Sequence, residues 1–149
     1  MTRSERLEPI AGLQRDKETQ ATRALGESQR RYLAQERRLA DLERFQREYE
    51  QRFHALGNAG AAIERFREHR RFSDKLNGAI EQQRKVLEEC RRELEHHNRR
   101  WSEVSSKRRA LDKVIDRFRL EETTQAQRRE QRESDDRAQR MRPYLDREG

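Results

Sequence analysis

The chain has 149 residues, of which 44% are Asp, Glu, Lys or Arg and only 30% are apolar, and this is too little apolar material for a compact globular core of that size. The composition leaves two homes, intrinsic disorder or long helices sharing a narrow seam. The net charge of +7 keeps acidic partners, nucleic acid included, among those to weigh.

Gln, Glu, Arg, Ala and Leu dominate, and the only two prolines, Pro9 and Pro143, sit near the ends, which favours helices. Residues 1–8 are expected to fray. Ser4, Glu5 and Glu8 ahead of Pro9 mark the region of a helix start. A first helix is predicted over about residues 5–56, firm from about residue 10, because proline fits a first turn. Steps of four and three give its seam as Ala21, Leu25, Ser28, Tyr32, Gln35, Leu39, Leu42, Gln46, Tyr49, Phe53 and Leu56, a heptad stripe with polar lapses. Gly26 falls inside this helix and weakens it by about 1 kcal/mol relative to Ala.

The uncharged stretch from Leu56 to Ala62 contains Gly57, Asn58 and Gly60, residues that end helices at little cost. A turn over 57–61 is predicted. The heptad rhythm then resumes in a second helix over about 62–141, landing on Phe66, His69, Ser73, Leu76, Ile80, Gln83, Leu87, Cys90, Leu94, His97, Trp101, Val104, Arg108, Leu111, Ile115 and Phe118. Such unbroken phasing excludes disorder for residues 10–118. In an antiparallel pair the numbers of facing residues add to a constant. Leu56 with Ile63, Phe53 with Phe66, Leu39 with Ile80, Tyr32 with Leu87 and Leu25 with Leu94 all add to 119, while Tyr49 with His69, Ser28 with Cys90 and Leu7 with Leu111 add to 118. The predicted fold is all-α: an antiparallel two-helix coiled-coil hairpin, one domain over 1–149, monomeric when isolated.

This register leaves everything after Leu120 without a partner arm. Residues 121–142 carry six basic and six acidic side chains and almost nothing apolar. A protruding helix held by Glu–Arg neighbours is expected, ended at Arg142 by Pro143, with a tail over 142–149. Most of the positive surplus lies between residues 57 and 120, with 17 basic against 11 acidic residues.

Little in the chain carries chemistry. No glycine-rich phosphate loop occurs, and the single cysteine, Cys90, excludes an intramolecular disulfide. Cys90 lies on the seam, where it reads as a small buried hydrophobe. His96 and His97 are adjacent and point to different faces. Cys90, Glu93 and His97 share a face but offer too few nitrogen and sulfur ligands for a metal. Carboxylates lie along rods without a cleft to shift their pKa values. No catalytic group, metal or cofactor is expected. The basic runs, such as Arg70-Arg71 and Lys107-Arg108-Arg109, are diluted by Glu and read as solvated faces, so no nucleic-acid binding is expected. No apolar run can span a membrane or serve as a signal peptide's core, and a cytoplasmic location is expected.

One cluster stands apart. Phe45 and Phe72 are large and off the strict seam, and the register sets them level with Leu42, Tyr49, Leu76 and Ala79. A two-helix pair buries only its seam, so aromatic surface is left exposed there, as at a partner site; a local widening of the seam is the alternative.

At this cluster the chain resembles the FliJ family of the bacterial flagellar type III export apparatus. The resemblance is carried by Leu25-Gly26-Glu27, by Leu42-x-x-Phe45-Gln46-x-Glu48-Tyr49, and by Phe72-x-x-x-Leu76-x-x-Ala79-Ile80-x-Gln82. Trp101 followed by Lys107 and Leu111, and the tail around Asp135-Asp136-x-Ala138, complete the set. It implies a two-helix stalk like the rotor shaft of rotary ATP synthases. It also implies a function without enzymatic activity: insertion of the terminal end into the hexameric export ATPase, contact with the cytoplasmic domain of the transmembrane export gate, escort of export chaperones, and a peripheral place at the inner membrane. The gate-binding surface carried over by resemblance comprises Leu42, Phe45, Tyr49, Phe72, Leu76, Ala79 and Gln83. Phe45, Arg38 and Gln83 depart from the family's familiar Tyr, Gln and His. Two alternatives stand beside this reading, an injectisome-type stalk protein and a basic coiled-coil nucleic-acid binder.

Overall fold

The computed structural model describes residues 1–57 and 62–148, with side chains through residue 142. Two long helices account for nearly all of them, α1 (Arg3–Ala55) and α2 (Ala62–Glu148). The fold is an all-α helical hairpin, and its described residues fall into two compact units, Met1–Thr19 with Glu103–Gly149 and Gln20–Ser102.

α1 starts earlier than expected, at Arg3. The reason is a reciprocal cap. The Glu5 N–H donates to Thr2 Oγ1 at 3.2 Å and the Thr2 N–H donates to Glu5 Oε2 at 3.0 Å. Two otherwise unpaired donors are satisfied at once, and the Arg6 N–H closes the first turn on the Thr2 carbonyl at 3.1 Å. Pro9 consequently lies inside the helix, beyond the first turn in which it was placed; its missing N–H deprives the Glu5 carbonyl of a helical partner. At the other end Gly57 adopts a φ of 55°, the left-handed conformation that closes helices, and its N–H donates to the His54 carbonyl at 3.2 Å. The rest of the predicted turn, 58–61, lies outside the described residues. α2 does not stop at Arg142 as expected but continues through Pro143 to Glu148. A proline so near a helix end removes one bond from a turn with few left to lose.

In the Gln20–Ser102 unit the stripes predicted from the heptads are those turned inward. Ala21, Ser28, Leu76, Ile80 and Gln83 are buried, and Leu25, Tyr32, Leu39, Leu87, Leu94 and Trp101 are half-buried. The pairing between the stripes keeps the expected partners at Gln35 with Gln83, Tyr49 with His69 and Phe53 with Phe66 and adds contacts about one helical turn further along. Phe53 meets its expected partner Phe66 at 5.5 Å between ring centroids, but stacks on His69 at 3.6 Å. Tyr49 lies 5.2 Å from the expected His69 and only 4.5 Å from Phe72. The Trp101 indole N–H donates to Thr22 Oγ1 at 3.0 Å, again about a turn further along than expected.

Three exposures fall at the turn end of the helix pair. Leu56 and Phe66 were assigned to the seam, yet they are 62% and 61% exposed, and Ile63 is 70% exposed. The first turn of α2 lies opposite positions past Ala55, where α1 has ended. Phe66 keeps only its edge contact with Phe53.

In the unit that joins residues 1–19 to 103–149, Ile115, Val104 and Ala11 are the buried apolar residues, 0–3% exposed, and Ser4 and Ser105 are buried with them. Polar contacts flank this strip. Arg108 bonds to Glu18 and to Asp112, and Arg119 bonds to Glu8. Arg15 lies 3.6 Å from Asp112, and the Arg3 guanidinium sits 5.6 Å from the Phe118 ring centre. Ser4 gives Glu122 both its N–H, at 3.1 Å, and its hydroxyl, at 2.7 Å. The unpartnered arm therefore begins past Glu122, not after Leu120, and every side chain from Gln125 to Arg142 is exposed.

Candidate interaction surface

The side chains singled out in the sequence belong to the Gln20–Ser102 unit, where successive turns of α1 bring Leu42, Phe45 and Tyr49 to one level of α2. Phe72 is the hub. Its ring meets Phe45 edge-on at 6.1 Å and Tyr49 at 4.5 Å. From Tyr49 the aromatic series runs on through His69 to Phe53 and Phe66. Offset and edge-to-face pairs of this kind add about 0.5–1.5 kcal/mol each beyond area burial, so the rings hold one another as well as the seam.

Only part of the predicted surface faces solvent. Phe45 is 46% and Phe72 37% exposed, Ala79 is exposed, and Leu42 and Tyr49 are half-buried. Leu76, by contrast, is 8% exposed and works as a seam residue. Gln83 is buried at 7%. Its amide donates to the Gln35 carbonyl at 3.0 Å and to Gln35 Oε1 at 2.8 Å. The Gln83 amide is thus spent inside the helix pair and is not displayed to a partner, which corrects its assignment to the surface. Polar side chains border the rings: Gln46 bonds to Asn77, and Arg84 Nη2 approaches Glu43 Oε1 at 3.4 Å.

A second feature escaped the sequence reading. His69, its side chain only 14% exposed, lies between the rings of Tyr49 and Phe53, with Nε2 3.3 Å from Glu50 Oε1. The Ser73 hydroxyl donates to the same carboxylate oxygen at 3.3 Å. Beside them opens a groove of about 560 Å³ lined by Ile63, Phe66, His69 and Arg70 among others. The signal for it was the aromatic spacing 53/66/69, which the assumed register split into separate pairs.

Electrostatic shifts cluster on surface ion pairs. The Arg91 guanidinium holds Glu88 below the usual carboxylate range and is itself raised by Glu88 and Glu95. Arg108 is raised by its bond to Glu18, then by that to Asp112. The two hydrogen bonds from Ser4 hold Glu122 below the usual carboxylate range. The Glu88–Arg91–Glu95 cluster is exposed on its helix face and of small energetic weight, whereas Ser4 is buried and Arg108 and Glu122 are half-buried. Among the described residues no group of three or more His, Cys, Asp and Glu side chains is placed to hold a metal, and no helix is long and apolar enough to cross a membrane.

Two long helices packed against each other define the class, an all-α helical hairpin. The family model of the flagellar FliJ protein matches residues 3–142. The chain belongs to the FliJ family, a non-catalytic component of flagellar protein export. No curated protein matches the chain.

Proposed function

We propose that this chain is the stalk and adaptor of the flagellar type III export apparatus. Its arm enters the central hole of the hexameric export ATPase. The face carrying Phe45 and Phe72 docks on the cytoplasmic domain of the transmembrane export gate, with Ala79 and the accessible parts of Leu42 and Tyr49. The protein escorts emptied export chaperones and works peripherally at the inner face of the inner membrane. The observation that carries the reading is the exposure of Phe45 and Phe72 in a chain whose residues 3–142 match the FliJ family model. Two exposed rings on a chain with so few aromatics are costly to leave in water unless a partner covers them. The arm supports the other half of the reading, because a helix exposed over every residue from Gln125 to Arg142 has no packing role within its own unit. A chain truncated after Thr124 keeps the Ser4–Glu122 contact and is expected to lose binding to the purified export ATPase. Undiminished binding by the truncated chain would refute the insertion.

A further inference from the structure

The end of the hairpin where α1 gives way to α2 has a surface of its own. From residue 53 to residue 63 the sequence holds no Asp, Glu, Lys or Arg, in a chain that is 44% charged. Every described residue from His54 to Gly57 and from Ala62 to Glu68 is exposed. Leu56, Ile63 and Phe66 therefore build no core. They stand 62%, 70% and 61% exposed, and of the three only Phe66 makes a ring contact, edge-on to Phe53. Arginines follow in the adjoining turns of both helices, Arg52 on α1 and Arg65, Arg67, Arg70 and Arg71 on α2, all exposed. Ile63 and Phe66 share the groove of about 560 Å³ with Arg67 and Arg70, so apolar walls and two guanidiniums lie side by side. Glu64, Glu68 and Asp74 stand within a turn of these arginines, and Glu50 lines the groove with its carboxylate engaged by Ser73 and His69. A positive surplus nevertheless remains around the turn, five arginines against two glutamates over residues 52–71.

We infer that this end of the hairpin is a membrane-surface anchor: Leu56, Ile63 and Phe66 enter the interface of an anionic bilayer, and Arg67 and Arg70 hold phosphate headgroups at its rim. Three physical features select a lipid surface over a protein. The first is area. Three apolar side chains at a chain reversal offer only a few hundred Å², well short of the roughly 800 Å² per partner of a stable protein interface. A bilayer needs no matching shape and takes such side chains at the boundary between headgroups and acyl chains. The second is order along the chain. An uncharged apolar end with arginines one or two turns behind it sets each group at its preferred depth, because a long arginine stem lies along apolar surface while its head stays among the headgroups. The third is charge. The surplus is drawn to the negative cytoplasmic leaflet, and the attraction fades within about a Debye length, so the turns nearest the surface decide it. The inference deepens the peripheral placement proposed above and rests on it for the membrane face concerned.

The test is co-sedimentation of the intact chain with vesicles of phosphatidylcholine alone and of phosphatidylcholine mixed with phosphatidylglycerol, beside a titration of each chain with the purified cytoplasmic domain of the export gate. Wild type is expected on the mixed vesicles, far less on phosphatidylcholine alone, and less as salt rises. Leu56→Gln/Ile63→Gln leaves the Phe53–Phe66 contact in place and keeps helix propensity, with far-UV circular dichroism as the check. It should lower vesicle partitioning about tenfold or more and leave gate binding unchanged. Arg67→Gln/Arg70→Gln should lose most of the preference for phosphatidylglycerol. Phe45→Ala/Phe72→Ala should stay on the vesicles. With Trp101→Phe removing the one native tryptophan, Ile63→Trp should shift its fluorescence to the blue on mixed vesicles, which surface adsorption of the rod alone would not produce. Failure of wild type to bind mixed vesicles while it binds the gate would overturn the anchor and leave the adaptor reading standing. Vesicle binding without gate binding would do the reverse. Undiminished vesicle binding by Leu56→Gln/Ile63→Gln would overturn the anchor, as would an equal loss in Arg128→Gln/Arg129→Gln/Arg132→Gln, which would assign the effect to diffuse charge. Loss of gate binding by Leu56→Gln/Ile63→Gln with vesicle binding intact would also overturn it and assign this end to the protein.

Discussion

The buried glutamine pair gives a quantitative test of how this hairpin is held. Gln83 is 7% exposed and donates to Gln35 at 3.0 and 2.8 Å. Neutral hydrogen bonds contribute about 1 kcal/mol each net of water, whereas a stranded buried amide costs about 1–3 kcal/mol. Gln83→Leu removes both bonds but buries a leucine for about 1.5–3 kcal/mol, leaving stability almost unchanged, since the half-buried Gln35 can turn to water. Gln35→Leu leaves Gln83 its bond to the residue-35 backbone carbonyl but removes the acceptor of its second amide hydrogen, and is expected to destabilise by about 1 kcal/mol. The double change leaves no amide hydrogen unmet and, with position 35 only half-buried, should stabilise by about 1 kcal/mol. The two singles therefore couple by about 1–3 kcal/mol. Urea denaturation followed by far-UV circular dichroism on all four chains measures this. Additivity within about 0.5 kcal/mol would refute the claim that the two side chains satisfy each other. The same layer is expected to tag the register, because a polar pair in an apolar seam penalises slippage, so the double variant should gain stability and lose uniqueness of pairing, seen by light scattering as added dimer.

Two further outcomes follow from single contacts. Glu122 has a depressed pKa in the folded chain, caused first by the Ser4 hydroxyl and then by the Ser4 N–H. Its stabilising share is present above the unfolded carboxylate range and disappears as pH falls through the lower folded value, so the melting temperature of wild type should fall toward that of Glu122→Gln between about pH 5 and pH 3, and parallel curves would contradict the contact. Gly26→Ala should stabilise by about 1 kcal/mol, because a Cβ built there meets only the flexible Arg30 end at 3.6 Å; destabilisation in urea would show that the glycine is needed for close packing.

What could be read from the sequence was phase and one set of facing pairs, such as Gln35 with Gln83 and Phe53 with Phe66; the second set, one turn further along, could not. Apolar spacing along each arm identifies the inward face at Ile80, Val104 and Ile115 because burial depends on a stripe local to one helix. Sliding one heptad stripe past another by three or four residues matches it almost as well, so Phe53 could be placed against Phe66 or His69 with similar patterning. In the structure Phe53 meets both, stacked on His69 and edge-on to Phe66, a matter of ring shape and not of hydropathy. The helix start was legible in Thr2-x-x-Glu5, a capping pattern overshadowed by Pro9. Gln83 was placed on the docking surface by resemblance, although its own environment turns it inward.

The account stands most directly on the exposed rings. Titration of the purified cytoplasmic domain of the export gate against wild type and Phe45→Ala/Phe72→Ala, by calorimetry and with helicity monitored in parallel, tests them. Truncating two interface aromatics of this kind costs at least about 2 kcal/mol, so affinity is expected to fall by thirtyfold or more while helix content stays unchanged. Equal affinity of the two chains for the gate would contradict the adaptor reading.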